Sequence, residues 1–261
     1  MPLGGPGGVR VLFVGDTHGN DVYWAERVVP AARDHGVDQI LQVGDFGWWP
    51  WAHGFLRLVA ASEVPVWFLD GNHEHHDYLA ASVRRSRRDH DIGDLLAPVP
   101  LDGAISYLPR GCRLDLEGVR VAILGGAHSV DRGARLPGHD WFPAETISSA
   151  DLDDLAAGGI ADLFVTHDAP AGYDIPGLTP ERLVPAFWEP ELAASAAHRL
   201  SVSEGLTAVR AATVIHGHYH SRYTQVLQAP WGPVQIEGLG CDGTPGSLLL
   251  VEFPSGTMTD L

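Results

Sequence analysis

Eight side chains in this sequence could converge on metal ions, and each lies just past a short apolar run. Asp16 and His18 follow residues 9–14, Asp45 follows 39–43, and Asn72 and His73 follow 66–69. His167 follows 162–165, and His218 and His220 follow 213–215. Imidazole nitrogens mixed with carboxylate and amide oxygens, and no cysteine, suit borderline divalent ions such as Mn, Fe, Co, Ni or Zn. Six or seven such ligands are too many for one four-coordinate ion. They fit two ions that share a bridging carboxylate, roughly 3.5–4 Å apart. Such a pair polarises an oxygen-rich substrate and lowers the pKa of a shared water, so that hydroxide is available near neutral pH. Asp16 and His18 are two residues apart, so in extended backbone both side chains point the same way.

The apolar runs must be the elements that deliver these groups. Residues 66–69, Val-Trp-Phe-Leu, read as a buried strand that turns polar at once in Asp70-Gly71-Asn72-His73-Glu74. Gly71 lets the backbone turn sharply where that strand ends. Residues 9–14 and 39–43 are two more strands. Between the three lie helical stretches at 20–35, with a kink or break expected at Pro30, and at 55–62. Strand, helix, strand, helix, strand is a βαβαβ unit with a parallel sheet, and open α/β sheets place their chemistry at the strand ends. A polar helix is expected over 75–90. It carries Arg84, Arg85, Arg87 and Arg88, read as a solvated face.

Short strands at 105–108, 113–116 and 120–124 suggest a switch to antiparallel pairing. Residues 125–133 form a glycine-rich loop from which His128 and Arg132 could reach a site; a purely structural loop is an equal reading. A short helix capped by Ser149 covers 151–157, helices cover 191–200 and 202–211, and strands at 222–227, 234–238 and 247–253 close the fold.

The chain has 261 residues, 45% hydrophobic and 19% charged, with a formal net charge of −16. One domain over 9–261 is expected, preceded by a disordered Gly- and Pro-rich stretch at 1–8. The acidity argues against a stable nucleic-acid complex, which needs a basic surface. Two cysteines, Cys112 and Cys241, in no paired motif point to a reducing cytoplasm. No run is long enough for a signal peptide or a membrane span. Nothing in the residues fixes an oligomeric state.

Taken in order, Asp16-Thr17-His18, Gly44-Asp45, Gly71-Asn72-His73-Glu74, His167 and Gly217-His218-Tyr219-His220 resemble the signature of the calcineurin-like metallophosphoesterase family, in its small single-domain phosphodiesterase branch. The resemblance implies a four-layer α/β/β/α sandwich of two mixed sheets with a binuclear metal site at the strand ends. It also implies roles. Asp16, His18 and His220 would hold one divalent ion, Asn72, His167 and His218 the other, and Asp45 would bridge them. Mn is the first expectation for both, with Fe, Zn, Ni or Co as alternatives. Metal-bound hydroxide would attack phosphorus while His73, not a ligand, protonates the departing oxygen.

The sequence departs from the family's protein-phosphatase branch in one place. There the G-D motif continues to an Asp that orients the catalytic His and an Arg that binds phosphate. Here Trp48 and Trp49 fall at those places, and the Asp-Arg-Gly at 131–133 follows a different strand. The group orienting His73 is not readable. Trp48, Trp49 and Trp51 could rim the site and stack on a nucleobase, worth about 1–3 kcal/mol per base; core packing is the equal alternative. With His128, Arg132 and Tyr219, Trp48 and Trp49 are the candidate substrate contacts. The expected activity is hydrolysis of a small phosphodiester, 2′,3′-cyclic nucleotides being the first guess. A phosphomonoesterase or Ser/Thr protein phosphatase is the rival, and a non-catalytic scaffold a more distant one.

Overall fold

In the computed structural model, which describes residues 8–179 and 186–261, the apolar runs pair into two sheets. The strands of the first sheet are β1 Val9–Val14, β2 Gln39–Gln42, β3 Val66–Phe68, β4 Val99–Asp102, β5 Ile105–Tyr107, β12 Leu248–Phe253 and β13 Thr257–Asp260. The second holds β6 Arg113–Leu116, β7 Val119–Leu124, β8 Leu163–Thr166, β9 Thr213–His216, β10 Tyr223–Ala229 and β11 Gly232–Gly238. The first sheet has the order β13-β12-β1-β2-β3-β5-β4 and the second β10-β11-β9-β8-β7-β6. Each sheet is mixed. Parallel strands form its centre (β1-β2-β3-β5 and β7-β8-β9-β11), and antiparallel strands finish its edges.

Strand alternation divides the core into three layers. Val9, Val11 and Phe13 of β1 point between the sheets, where they meet Val121, Ile123, Val165 and Ile215 of the second sheet. Leu12 and Val14 point the other way, onto Trp24, Val28, Phe55 and Leu79 from the covering helices. On the far side Ala122, Leu124 and Phe164 pack on Leu155, Val202 and Leu206. Helix, sheet, sheet, helix is therefore the layering, because both faces of each sheet are apolar and must be covered. The helices on the first sheet are Asp21–Asp34, His53–Ala60 and His76–Asp89; on the second they are Ser149–Ala157 and Glu189–Val209.

Several boundaries differ from the sequence reading for physical reasons. Pro30 does not end the helix. A π-helical stretch, Trp24–Val28, precedes it, and the Val29 N–H bonds back to Trp24 O, so the widened turn takes up the irregularity. Ser148, not Ser149, caps its helix, in a capping box with Asp151. The stretches expected at 191–200 and 202–211 are one helix, Glu189–Val209, that buries Ser195, His198, Val202 and Leu206 along its length. The disorder expected at 1–8 lies, Gly8 apart, outside the described residues. No described helix is long and apolar enough to cross a membrane.

Candidate functional site

The strand ends of both sheets open on one place. β1, β2 and β3 bring Asp16, His18, Asp45, Asn72 and His73 from the first sheet; β8 and β9 bring His167, His218 and His220 from the second. Two groups of ligand atoms result: Asp16, His18, Asp45 and His220, and Asp45, His167 and His218. Asp45 belongs to both. Its Oδ2 faces His18 Nε2 at 3.5 Å and its Oδ1 faces His167 Nε2 at 3.4 Å. Asn72 Oδ1 joins the second group, 3.2 Å from His167 Nε2. In the first, His220 Nε2 is 3.0 Å from Asp16 Oδ2. The donor set of imidazole, carboxylate and amide oxygen fits divalent ions of the Mn-to-Zn series.

The backbone is bent to make this arrangement. His18, Asp45, His218 and His220 all have positive φ, between 46° and 69°, and they are four of the seven described non-glycine residues that do. Strain of this kind collects at functional sites, where the surrounding structure enforces it. Glycines supply the close approaches. A Cβ on Gly71 would overlap Asp45 Oδ1 and lie 2.7 Å from His167 Nε2; a Cβ on Gly217 would overlap Asp16 Oδ1.

The electrostatics favour positive charge at the centre. Burial alone would lower the His18 and His167 pKa values, but the Asp45 carboxylate pushes them up to about 9 and about 10. The hydrogen bond to Asp16, with Cys241 nearby, pushes His220 up to about 11. Burial would raise the Asp45 carboxyl, yet His167 and His73 hold it well below the ordinary range. A divalent cation competes for this same field by displacing those protons. His218 differs: burial lowers it to about 4, which leaves a neutral imidazole ready to coordinate.

Outer groups aim the ligands. His167 Nδ1 donates to Val43 O at 2.8 Å, so Nε2 is left free to face Asp45. Asn72 Nδ2 donates to Ser129 Oγ at 3.0 Å, and Ser129 Oγ donates to Glu145 Oε2 at 2.7 Å, which turns Asn72 Oδ1 toward the centre. Glu74, the last residue of Gly71-Asn72-His73-Glu74, is a stitch. Its carboxylate accepts the Phe46 and Gly71 N–H groups, both at 2.6 Å, tying the loops after β2 and β3 together; burial and nearby Asp45 push it up to about 8.

His73 belongs to neither ligand group, but its ring lies edge-on against His18, 5.2 Å between centroids. Its backbone N–H donates to Asp45 Oδ1 at 2.8 Å, while its ring meets Arg135 Nη2, 2.5 Å from Nε2. Burial and the Arg135 guanidinium hold the His73 pKa below its ordinary value. Arg135 itself is held by Asp131, Nε to Oδ1 at 2.8 Å, and only 7% of its side chain is exposed. No pattern in the sequence marks this cation. The loop after β7 stands out for Asp131 and Arg132, not for the arginine three residues on. Asp131 and Arg135 place next to His73, from the second sheet, the acid and the guanidinium that the G-D motif lacks.

The other expected substrate contacts separate. Trp48 is 4% exposed, stacks on Phe68 and Tyr78, and donates to Ser82: it is core, not rim. His128 is buried with its Nε2 2.7 Å from Glu191 Oε2, and Arg132 lies over the Trp141 ring; neither lines either cleft at the site. Trp49 does remain there, its Nε1 donating to His73 O, with the exposed Trp51 stacked against it. Tyr219 lines the neighbouring cleft and donates to Asp168 Oδ1 at 2.7 Å.

Fold, motif order and site together define a metallophosphoesterase. The calcineurin-like phosphoesterase family matches residues 9–222, and the chain belongs to that family. It is therefore a phosphoester hydrolase of a class that works with two divalent metals. No curated protein matches the sequence. Among solved structures it is similar to a hypothetical protein from Thermus thermophilus, at 16% identity over 97% of this chain and 98% of that one, TM-score 0.45. It is also similar to a Themotoga maritima protein solved by NMR in solution, at 13% identity over 97% of each chain, TM-score 0.39.

Proposed function

We propose that the chain hydrolyses phosphodiesters with two divalent ions, Mn being the first choice. One ion would be held by Asp16, His18 and His220, the other by Asn72, His167 and His218, and Asp45 would belong to both. Ions held there would polarise the phosphoryl oxygens and bring a water within reach of ionisation near neutral pH. The remaining work falls to side chains. His73, fixed through its backbone N–H to Asp45, presents its ring to the reacting group as proton donor to the departing oxygen. An anionic phosphoryl group beside it raises its pKa, against the lowering by burial and Arg135. Arg135 donates to the His73 ring while the ring is neutral, gives that contact up when the ring takes the proton it passes on, and has further N–H groups for a phosphoryl oxygen.

The observation that carries the diester reading is the meeting of two clefts at His73. One of about 480 Å³ and one of about 420 Å³ share His73 and Asp131 as a common wall. Phosphorus in a diester carries two organic groups, and two clefts can take them. A monoester needs one. The guess of 2′,3′-cyclic nucleotides loses two of its supports, since Trp48 is core and His73 has a partner. One observation favours a monoesterase instead: Arg135 supplies the extra positive charge that a monoester dianion demands.

The test is kcat/KM for bis(4-nitrophenyl) phosphate, 4-nitrophenyl phosphate and a 2′,3′-cyclic nucleotide, with and without Mn. The diester reading expects the aryl diester to exceed the monoester at least tenfold. A tenfold preference for the monoester overturns it.

A further inference from the structure

The two clefts at His73 differ in chemistry. The smaller is lined by Trp49, Trp51, His75, His139, Arg135 and Asp140, a mixed aromatic and charged wall. The larger has its polar end at Asn72, His73, His218 and His220. Away from that end six apolar side chains, Val130, Ile175, Leu178, Phe187, Leu192 and Ala196, make most of the wall, with Asp131, Asp174 and Ser195 among them. Its volume, about 480 Å³, is within the usual range for a small-molecule site. Arg199 also borders it. That cation is occupied elsewhere: Nη2 donates to Pro170 O and Tyr173 O, both at 2.8 Å, and the guanidinium lies over the Tyr173 ring. The Asp131 and Asp174 carboxylates repel a second phosphate, and the apolar majority of the wall rewards apolar surface taken out of water.

We infer that the larger cleft is a subsite for an apolar ester group, so that the preferred substrate is an acyclic phosphoester carrying an aliphatic or similarly apolar substituent. This rests on the phosphoester-hydrolase reading of the same metal-ligand site. The cleft is continuous with that site through His73, His218 and His220, so a phosphoryl group at the ligand residues leaves its ester substituent at the mouth of the apolar wall. A cyclic nucleotide, with one ribose bridging both ester oxygens, has no such free group.

The probe is a series of alkyl(methyl)phosphinates, ethyl, butyl, hexyl and octyl. They carry the single charge of a diester and have no ester bond to break, so their binding can be read without turnover. Calorimetric titration of the Mn-loaded protein should show Kd falling about three- to fourfold per added methylene until the cleft is full. Ala196 is exposed on the helix Glu189–Val209, so Ala196→Trp blocks the cleft without entering the core. It should bring the octyl-to-ethyl affinity ratio close to one, and Leu192→Glu should lower that ratio by a different route. A flat series in the unaltered protein overturns the inference. So does a chain-length dependence that both variants retain, and so does failure of every phosphinate to bind. A steep series in a protein that hydrolyses no phosphodiester keeps the apolar subsite and removes the phosphodiesterase reading, so the two failures are separable.

Discussion

Asp45 and His73 sit one hydrogen bond apart and divide the work of the site. Asp45 faces both ligand groups with its two oxygens, while the His73 ring stands beside His18 and meets Arg135. His73→Ala should therefore leave metal content unchanged and lower turnover by about 10²–10⁴. Loss of a metal equivalent in that variant would make His73 a ligand. Ser129→Ala tests the outer groups. Without the hydroxyl the Asn72 Nδ2 loses the acceptor that turns Oδ1 inward, so one ion's affinity should fall about 10–100-fold while the other's is unchanged. Equal affinity for both ions, as in the parent protein, would show that the contact is idle. At this scale the sequence was legible where metal chemistry dictates residue type, at Asp16, His18 and His218. It was silent on Ser129, Glu145 and Arg135. Those three act across long stretches of chain with no local pattern to mark them. Asn72 and Ser129 are 57 residues apart, His73 and Arg135 are 62, and Glu145 acts only through Ser129.

The elements matter chiefly at their last residues. Parallel central strands end together, which is why ligands distant in sequence meet. Strands with both faces buried were readable as continuous apolar runs, β1 and β8 among them. β4, Val-Pro-Leu-Asp, and β13, Thr-Met-Thr-Asp, were not, because edge strands are short and half polar. Pro30 signalled an irregularity but not its form: the π-helical turn just before it has no residue signature. The turn after β3 offers the sharpest test. Gly71→Ala forces a methyl against Asp45 and His167. It should cost about 1–3 kcal/mol of stability and impair both ions together, because the displaced carboxylate serves both groups. A variant that melts and loads as the parent protein does would show that the close approach is not required.

At the scale of the molecule, an acidic chain acts on an anionic substrate. The net charge of −16 repels a phosphoester at long range, while the cationic centre attracts it at short range. Salt screens the first far more than the second. With metal sites saturated, raising ionic strength from about 0.01 to about 0.15 M should raise kcat/KM for a charged substrate about two- to tenfold. A fall would mean that the local field of Arg135 and the ions dominates approach. The four-layer stacking was implied by motif order, and the alternation of Val11 and Phe13 against Leu12 and Val14 gives its physical cause. How the two sheets face each other was not readable from either sheet's strands alone.

The central claim is that both sheets together build one site for two ions that share Asp45. The most direct measurement is metal content of protein purified without chelator, stripped, and reloaded with Mn, for the parent chain and for Asp45→Asn. The account predicts two equivalents in the parent and weakened binding of both in the variant. A firm plateau at one equivalent in the parent, or an Asp45→Asn variant that loses one ion and keeps the other at full affinity, would contradict it.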